Sequence, residues 1–403
     1  MNLGIGHNSI HDANALARMV ALRTSGSIPN LGGDAARTVH LGSAGLALAC
    51  GSGRGPAGSP SGRWSMGYYA GYLHAAYPVD AIDWSGLTHL AVAFYLPQTD
   101  GSLDESISVG PTASPQLAHA LVRSAHAHGV QAIASIGGSG SGPAMKTATA
   151  AGVQAAFVAA IVKLMTDYGF DGIDIDWEPL ELADRPTALT VANQVRAARP
   201  DAILTLAVAS ENGNHPEDLS GYAALAGSYD QVNIMTYGMA GAYSGWNSWH
   251  SSALYYQDRA TPSSVDVSVR LYLAAGVPAK KLGVGISFYG LCYTKPVTGP
   301  DQPLGASAVT SNGMGFASIL AGYFVSSARQ WDAFARVPYL SFADPAGAAG
   351  CTFISYEDEQ SIQEKAAYLE ENGLGGVIEW NINEGYVAPA NPLLEAVRKS
   401  VLQ

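Results

Sequence analysis

The stretch DGIDIDWEPL, residues 171–180, alternates apolar and acidic side chains with the period of a β-strand. Because successive side chains of a strand point to opposite faces, the apolar residues share one face and Asp174, Asp176 and Glu178 share the other. Neighbours on one face are about 6.7 Å apart, since each residue rises about 3.3 Å. Three carboxyl groups at this spacing cannot all ionise without cost. The pattern therefore predicts a strand whose acidic face has a function.

Short apolar strands recur from Ser65 onward, separated by amphipathic segments such as 114–129 and 153–169, each of which ends in glycine as a helix does. This alternation is typical of a parallel α/β fold. Eight strands predict a closed (β/α)8 TIM barrel, with the active residues at the carboxyl ends of the strands; a doubly wound open sheet is the alternative. The candidate strands are 66–72, 87–96, 130–138, 170–178, 203–209, 231–237, 281–290 and 375–380.

The gap between the seventh and eighth candidate strands is too long for a single helix. It predicts a small inserted subdomain at about 291–355, with Cys292 and Cys351 near its two ends. A disulfide between them would close its base, and two free buried thiols are the alternative. The three cysteines lack the CxxC or HxH spacing of a zinc site, so neither a metal nor another cofactor is expected.

Residues 1–63 differ in composition from residues 64–403. We assign residues 64–403 to the barrel. An apolar run at 38–50 follows Arg37 and precedes a Gly/Ser/Pro linker, which is the shape of an export signal. Its end resembles a degenerate lipoprotein signal in which Cys50 would carry the lipid. Export predicts a protein that is secreted or lipid-anchored at the bacterial cell surface. A flexible tail with a chance apolar patch is the alternative.

Composition excludes several classes of function. The net charge of −12 and the lack of a Lys/Arg-rich run argue against nucleic acid as a partner. No stretch of eighteen apolar residues is present, so no transmembrane segment is expected. A monomer is expected.

Four interpretations of the acidic strand remain open at this point. A purely structural cluster of carboxylates would be costly without cationic partners, and no run of Arg or Lys lies nearby in sequence. A divalent cation would be poorly surrounded by ligands from one straight strand. A binding site without chemistry is the third. The fourth is glycoside cleavage, because crowding keeps one carboxyl group protonated and able to protonate a leaving group.

DGIDIDWE resembles the DGxDxDxE signature of glycoside hydrolase family 18, the chitinase family, with Asp171, Asp174, Asp176 and Glu178 on its fixed positions. Other matching runs lie in order around it, and the likeness extends over about 65–402. These runs are SIGG (135–138), NIMTY (233–237), GISFYG (285–290) and GGVIEW (375–380).

The resemblance implies hydrolysis of chitin or N-acetylglucosamine oligosaccharides with retention, through an oxazolinium formed by the substrate's own N-acetyl oxygen. It implies that Glu178 is the general acid and base. Asp176 would bind the acetamido N–H, and Asp174 would share a proton with Asp176. Tyr237 would donate its hydroxyl to the acetamido oxygen, and Trp380 would form the apolar floor under the −1 sugar.

Further substrate-binding candidates follow from the matching runs and from aromatic residues near the strand ends. Gly138 and Tyr289 belong to two of those runs. Aromatic rings can stack on sugar faces, although each could equally be a packed loop or core residue; the candidates are Tyr68, Tyr72, Trp246 and Trp249. His250 is expected to be a surface or loop residue rather than a ligand.

One position departs from the family pattern. The family usually has Asp after the strand-six tyrosine, whereas this chain has Gly238. The change removes a carboxylate expected to contact the −1 sugar, which bears on affinity and pH optimum. Two alternatives to a chitinase remain: a chitin-binding lectin on the same barrel, and an endo-β-N-acetylglucosaminidase that acts on glycans or peptidoglycan.

Overall fold

A computed structural model describes residues 59–256 and 258–403. The predicted export or lipoprotein signal, Cys50 and most of the predicted linker lie outside the described residues. Within the described part of the chain, none of the helices is both long and apolar enough to cross a lipid bilayer.

Eight parallel strands form a closed barrel, because β1 pairs in parallel with both β2 and β14. This closure confirms the predicted (β/α)8 barrel over the open sheet. A two-residue strand, β3 at Leu103–Asp104, pairs antiparallel with β2 at the barrel edge. The barrel strands are β1 Trp64–Ala70, β2 His89–Pro97, β4 Gln131–Gly138, β5 Gly172–Trp177, β6 Ile203–Ala209, β7 Gln231–Met235, β8 Leu282–Ser287 and β14 Gly376–Trp380.

Helices follow the strands, and local sequence signals mark several of their ends. The helix over Gln154–Tyr168 ends at Gly169, whose φ of 81° is readily adopted only by glycine. The helix over Glu359–Glu371 begins with a capping box between Asp358 and Ser361. In chain order the helices are α1 Ala113–Ala127, α2 Gly142–Ala148, α3 Gln154–Tyr168, α4 Arg185–Ala198, α5 Tyr222–Ser228, α6 Val265–Ala274, α7 Phe316–Gly322, α8 Glu359–Glu371 and α9 Pro392–Ser400.

The alternation of β5 separates two environments. Ile173 and Ile175 belong to the large core between the strands and the surrounding helices. Asp174 and Asp176, on the opposite face, point into the barrel beside a separate interior cluster of apolar side chains. That interior cluster consists of Met66, Tyr68, Ala91, Ala93, Ile133 and Ile378.

An inserted subdomain lies between β8 and α8, close to its predicted bounds. The predicted strand 281–290 is divided at Phe288, where the chain leaves the barrel and enters β9. The subdomain is a five-stranded antiparallel sheet in the order β10-β9-β13-β12-β11, with α7 between β10 and β11. Its strands are β9 Tyr289–Tyr293, β10 Val309–Gly315, β11 Arg329–Asp332, β12 Val337–Ala346 and β13 Cys351–Ser355.

A disulfide joins the first and last strands of this subdomain. Cys292 on β9 and Cys351 on β13 are bonded, with their Cα atoms 5.5 Å apart. The bond closes a loop with a sequence separation of 59. In the chain-entropy model, closure of a loop of this length stabilises the fold by roughly 4 kcal/mol.

Candidate active site

Three carboxyl groups, two on β5 and one just after it, lie at the carboxyl end of the barrel. Asp174 is fully buried, Asp176 is 4% exposed, and Glu178 is partly exposed just beyond the last residue of the strand. The increasing exposure follows from their successive positions toward the barrel mouth. The three side chains therefore form a line from the interior to the solvent, as the period-two pattern predicts.

Asp174 is held by three hydroxyl groups from three different strands. Its Oδ2 accepts hydrogen bonds from the Tyr68 hydroxyl at 2.8 Å and from the Ser135 hydroxyl at 2.9 Å. Its Oδ1 accepts one from the Thr205 hydroxyl at 2.7 Å. Burial raises the pKa of Asp174, while these hydrogen bonds lower it. Three donors make Asp174 the best stabilised charge of the three.

Tyr68 was expected to stack on a sugar, and its environment corrects that expectation. Its ring is 1% exposed and its hydroxyl is used by Asp174. A ring so deeply buried offers no face to a ligand. Tyr68 instead supports Asp174 and the edge of Trp380, whose ring centroid is 5.6 Å away.

The environment of Asp176, in contrast to that of Asp174, disfavours a negative charge. Its Oδ1 is buried and has no hydrogen-bond partner within 59–256 and 258–403. Burial raises the pKa of Asp176 well above its ordinary value, and the negative charges of Glu178 and Asp174 raise it further. Burial and these two charges therefore favour the neutral, protonated form of Asp176. Its unpaired oxygen is the kind of buried polar atom that a bound ligand would satisfy.

Glu178 combines partial exposure with a shifted titration. Burial raises the pKa of Glu178 to about 7, and a hydrogen bond with Asp176 limits the rise. A carboxyl group with this pKa is about half protonated at neutral pH and can both give and take a proton, as general acid and base catalysis requires. The backbone N–H of Glu178 donates to the Ser141 hydroxyl at 3.2 Å, which fixes the start of the loop.

Two glycines of the SIGG run allow close packing at this end of β4. Gly137 has a φ of 115°, and a Cβ there would lie 2.1 Å from the carbonyl oxygen of Asp176. Gly138 has a φ of 100°, and its Cβ would lie 3.0 Å from the ring of Phe94. The predicted substrate-binding residue Gly138 is therefore placed behind Phe94, where it provides space.

Trp380 ends β14 with its ring partly exposed at the barrel mouth. Phe94 stacks on it with ring centroids 5.3 Å apart and an interplanar angle of 23°. The indole is thus supported from below by Phe94 and at its edge by Tyr68. A supported and partly exposed indole provides an apolar platform for a sugar ring.

Two tyrosine hydroxyls face the same space. The rings of Tyr237 and Tyr289 meet edge to face, with centroids 6.2 Å apart. Burial raises the pKa of Tyr237 well above its ordinary value, and the negative charge of Asp176 is the next largest cause. Burial also raises the pKa of Tyr289. Both side chains therefore remain phenols and can donate hydrogen bonds.

Gly238 has a backbone conformation and a neighbour that leave little room for a side chain. Its φ is 63°, in the left-handed region that disfavours residues with a side chain. A Cβ at Gly238 would also lie 3.2 Å from the hydroxyl oxygen of Tyr289, which is a tight contact. An aspartate would need both a rearranged backbone and a displaced Tyr289.

The aromatic candidates on the loop after β7 separate into an exposed pair and a buried residue. Trp246 is partly exposed and meets the exposed Tyr243 edge to face, with centroids 4.9 Å apart. Trp249 is fully buried, and its Nε1 donates to the carbonyl of Ser263 at 3.1 Å. The prediction that Trp249 stacks on a sugar is wrong, because no ring face is accessible. Trp246 stays a candidate.

His250 also differs from its expected surface environment. It is fully buried, with its Nε2 3.0 Å from Oδ2 of Asp332 on β11. Trp249 and His250 thus attach the loop after β7 to the inserted subdomain. In the part of the chain that the structure describes, no group of three or more His, Cys, Asp or Glu side chains is arranged to hold a metal ion.

Three residues at the site were not identified from the sequence: Thr205, Phe94 and Glu384. Thr205 and Phe94 lie in apolar strand runs, where their neighbours gave no signal. Glu384 follows Trp380 by four residues, and the position of a carboxyl group just after the last barrel strand was a signal that could have been used. Burial raises the pKa values of Tyr72 and Tyr289, and the charge of Glu384 raises both further.

Comparison with known proteins agrees with this arrangement. The family model described as glycosyl hydrolases family 18 matches residues 65–385. A class V chitinase of Arabidopsis thaliana is 29% identical over 330 residues, which cover 76% of this chain and 82% of that protein. Chitotriosidase-1 of Mus musculus is 31% identical over 251 residues, which cover 56% of this chain and only 51% of the mouse protein.

A solved structure supports the fold. A mutant class V chitinase from Nicotiana tobaccum, crystallised in complex with NAG4, superposes with a TM-score of 0.69 and 24% identity, covering 84% of this chain and 99% of that chain. The family match includes every carboxyl group described above and all eight barrel strands except the first residue of β1, Trp64. The chain therefore belongs to glycosyl hydrolases family 18 and is a chitinase-like glycoside hydrolase.

Proposed function

We propose that the protein hydrolyses β-1,4 bonds between N-acetylglucosamine units of chitin, with Glu178 as general acid and base. The proposal is supported by the names of the relatives and by the complex of the Nicotiana tobaccum chitinase with NAG4. The observation that carries it is the pairing of Asp176, buried with an unpaired oxygen, with Glu178, whose pKa is raised to about 7.

In the first step, Glu178 gives its proton to the glycosidic oxygen as the bond from C1 to that oxygen breaks. The acetamido oxygen of the −1 sugar forms a new bond to C1, which gives an oxazolinium and releases the shortened chain. In the second step, ionised Glu178 takes a proton from water while the water oxygen attacks C1, and the bond from C1 to the acetamido oxygen breaks, which regenerates the N-acetyl group. The second attack on C1 restores the original anomeric configuration.

The residues around Glu178 are suited to these two reaction steps. The unpaired Oδ1 of Asp176 is available to accept a hydrogen bond from the acetamido N–H. Transfer to Asp174 of the proton that the two aspartates share would leave a negative charge on Asp176 that stabilises the cationic ring. Tyr237 remains a phenol and can donate to the acetamido oxygen before attack. Trp380, supported by Phe94, forms the floor of the −1 subsite. Trp246 is the remaining candidate for stacking on a more distant sugar.

A substrate panel tests the proposal. We expect release of short products from chitin and chitotetraose, and little release from N-glycans or peptidoglycan fragments. A chitotetraose analogue with unacetylated glucosamine at −1 is expected to resist cleavage, because it lacks the nucleophile. Equal cleavage of that analogue would contradict substrate assistance, and selective cleavage of glycans or peptidoglycan would favour the endo-β-N-acetylglucosaminidase alternative.

A catalytically weak chitin-binding lectin is the second candidate, and Gly238 is the observation that favours it. The site lacks the carboxylate that the family usually has after the strand-six tyrosine and that is expected to contact the −1 sugar. Binding of chitotetraose without any turnover by the unmodified protein would support the lectin. The presence of Glu178 with a pKa near neutrality favours the enzyme.

We also propose that the protein is exported, either secreted or lipid-anchored through Cys50 at the bacterial cell surface. The disulfide between Cys292 and Cys351 suits an oxidising compartment. Mass spectrometry of the mature N-terminus would reveal cleavage or lipidation. The expected monomeric state stays a prediction that light scattering would check.

A further inference from the structure

Glu384 lies in the wall of the site on the side formed by strands β8, β14 and β1. The first contact that positions it is with Gly315, which pairs with Tyr289 across the β9–β10 ladder. A Cβ at Gly315 would meet Cβ and Cγ of Glu384 at 3.0 and 3.1 Å. The backbone N–H of Ala317 donates to the carbonyl of Glu384 at 2.9 Å. The inserted subdomain therefore holds Glu384 beside Tyr289.

Asn381 determines how the carboxyl group of Glu384 is oriented. The Asn381 Oδ1 accepts a hydrogen bond from the Glu384 backbone N–H at 3.2 Å, so the amide nitrogen must face the other way. That nitrogen, Nδ2, donates to Oε2 of Glu384 at 3.0 Å. Asn381 is 2% exposed and cannot turn freely toward solvent. Oε2 of Glu384 therefore accepts the hydrogen bond from Asn381 and does not carry the proton.

The other carboxyl oxygen, Oε1, has no hydrogen bond to any part of the chain that the structure describes. Because Oε2 accepts from Asn381, the proton of a neutral Glu384 belongs on Oε1. Burial raises the pKa of Glu384 to about 8, while the hydrogen bond from Asn381 lowers it. The side chain is only partly buried, so Oε1 can reach a bound ligand.

We propose that Glu384 is a substrate-binding residue whose Oε1–H donates a hydrogen bond to an uncharged acceptor, a hydroxyl or acetamido oxygen, of an N-acetylglucosamine unit bound beside Trp380. The proposal rests on the proposed function. Tyr289 is a neighbour of both Glu384 and Gly238: burial and then the charge of Glu384 raise its pKa, and its hydroxyl oxygen would lie 3.2 Å from a Cβ at Gly238.

The ionisable groups that face Glu384 support a change with pH. Tyr72 lies on the β1 side and Tyr289 on the β9 side, and burial raises the pKa of each. Glu178 acts on Tyr289 from the far side. The two tyrosines remain neutral as the pH rises through 8, so Glu384 is the group of the three that loses its proton there. Loss of that proton removes the donor and weakens sugar binding.

The test measures chitotetraose affinity by calorimetry in a Glu178→Gln background, which removes turnover. Glu384→Ala is expected to weaken binding about tenfold at pH 6, as loss of one good hydrogen bond does. Glu384→Gln is expected to retain affinity, because its oxygen can accept from Asn381 while its NH₂ group replaces Oε1–H. Between pH 6 and pH 9.5 the affinity of the Glu178→Gln parent should fall by about as much as the Glu384→Ala substitution lowers it at pH 6. The affinity of the Glu384→Gln variant should not fall over this pH range.

Controls separate the possible failures. Glu371→Gln changes an exposed carboxyl group on α8 and should leave both affinity and its pH dependence unchanged. Unaltered affinity in Glu384→Ala, or the same decline with pH in Glu384→Gln as in the parent, would overturn the role of Glu384 alone. Absence of chitotetraose binding by the parent and by the unmodified protein would overturn the proposed substrate, and the role of Glu384 with it.

Discussion

Glu178→Gln is expected to lower kcat on chitotetraose by about 10³-fold, within the range of about 10²–10⁴ that a positioned general acid contributes. Glutamine keeps the size and polarity of Glu178 but has no proton that it can transfer to the glycosidic oxygen. Burial has raised the pKa of Glu178 to about 7, so the wild-type acid is available near neutral pH. Chitotetraose binding should persist, because the floor at Trp380 and the hydroxyl of Tyr237 are unchanged.

The measurement is steady-state hydrolysis at pH 6, with oligosaccharide binding measured separately on the same preparation. Glu371→Gln, a change to an exposed carboxyl group far from the barrel mouth, should retain wild-type kcat. Wild-type turnover by Glu178→Gln would show that another group protonates the leaving oxygen.

Asp176→Ala is expected to lower kcat by about 10²-fold or more, because it removes the group that fixes the acetamido group and stabilises positive charge in the transition state. It should not lower the melting temperature. Asp176 is buried with an unpaired oxygen and a pKa raised well above its ordinary value, so removing it relieves an unfavourable burial. Lost activity with retained stability is the signature of a group kept for function.

Asp174→Ala provides the matched contrast on the same strand. It would leave the hydroxyls of Tyr68, Ser135 and Thr205 without their common acceptor. Unsatisfied buried donors cost about 1–3 kcal/mol each, so the melting temperature of Asp174→Ala should fall. Thermal unfolding of the two variants compares these effects directly. A large loss of stability in Asp176→Ala, or wild-type kcat in that variant, would refute its assignment.

The sequence allowed the barrel and the carboxyl line to be predicted because both depend on short-range periodicity. Alternation within β5 was sufficient to place Asp174, Asp176 and Glu178 on one face. The length of the gap after β8 was sufficient to predict the insertion, whose observed strands run from Tyr289 to Ser355.

The partners of these groups could not be predicted, because they come from distant parts of the chain. Tyr68 is separated from Asp174 by 106 residues, and no local pattern links them. Trp249 was a candidate for either sugar stacking or packing, and His250 was expected at the surface or in a loop. The inserted subdomain covers both residues. The orientation of Glu384 depends on Asn381 and Gly315 together, and only the folded subdomain brings Gly315 to that place.

The pH dependence of kcat/KM on chitotetraose tests the central claim most directly, namely that burial keeps a transferable proton on Glu178 near neutral pH. A general acid works only while protonated, and the pKa of Glu178 is about 7. We therefore predict that kcat/KM falls tenfold per pH unit above about pH 7. A profile that stays flat to pH 9, or one that already declines above pH 5, would contradict the account.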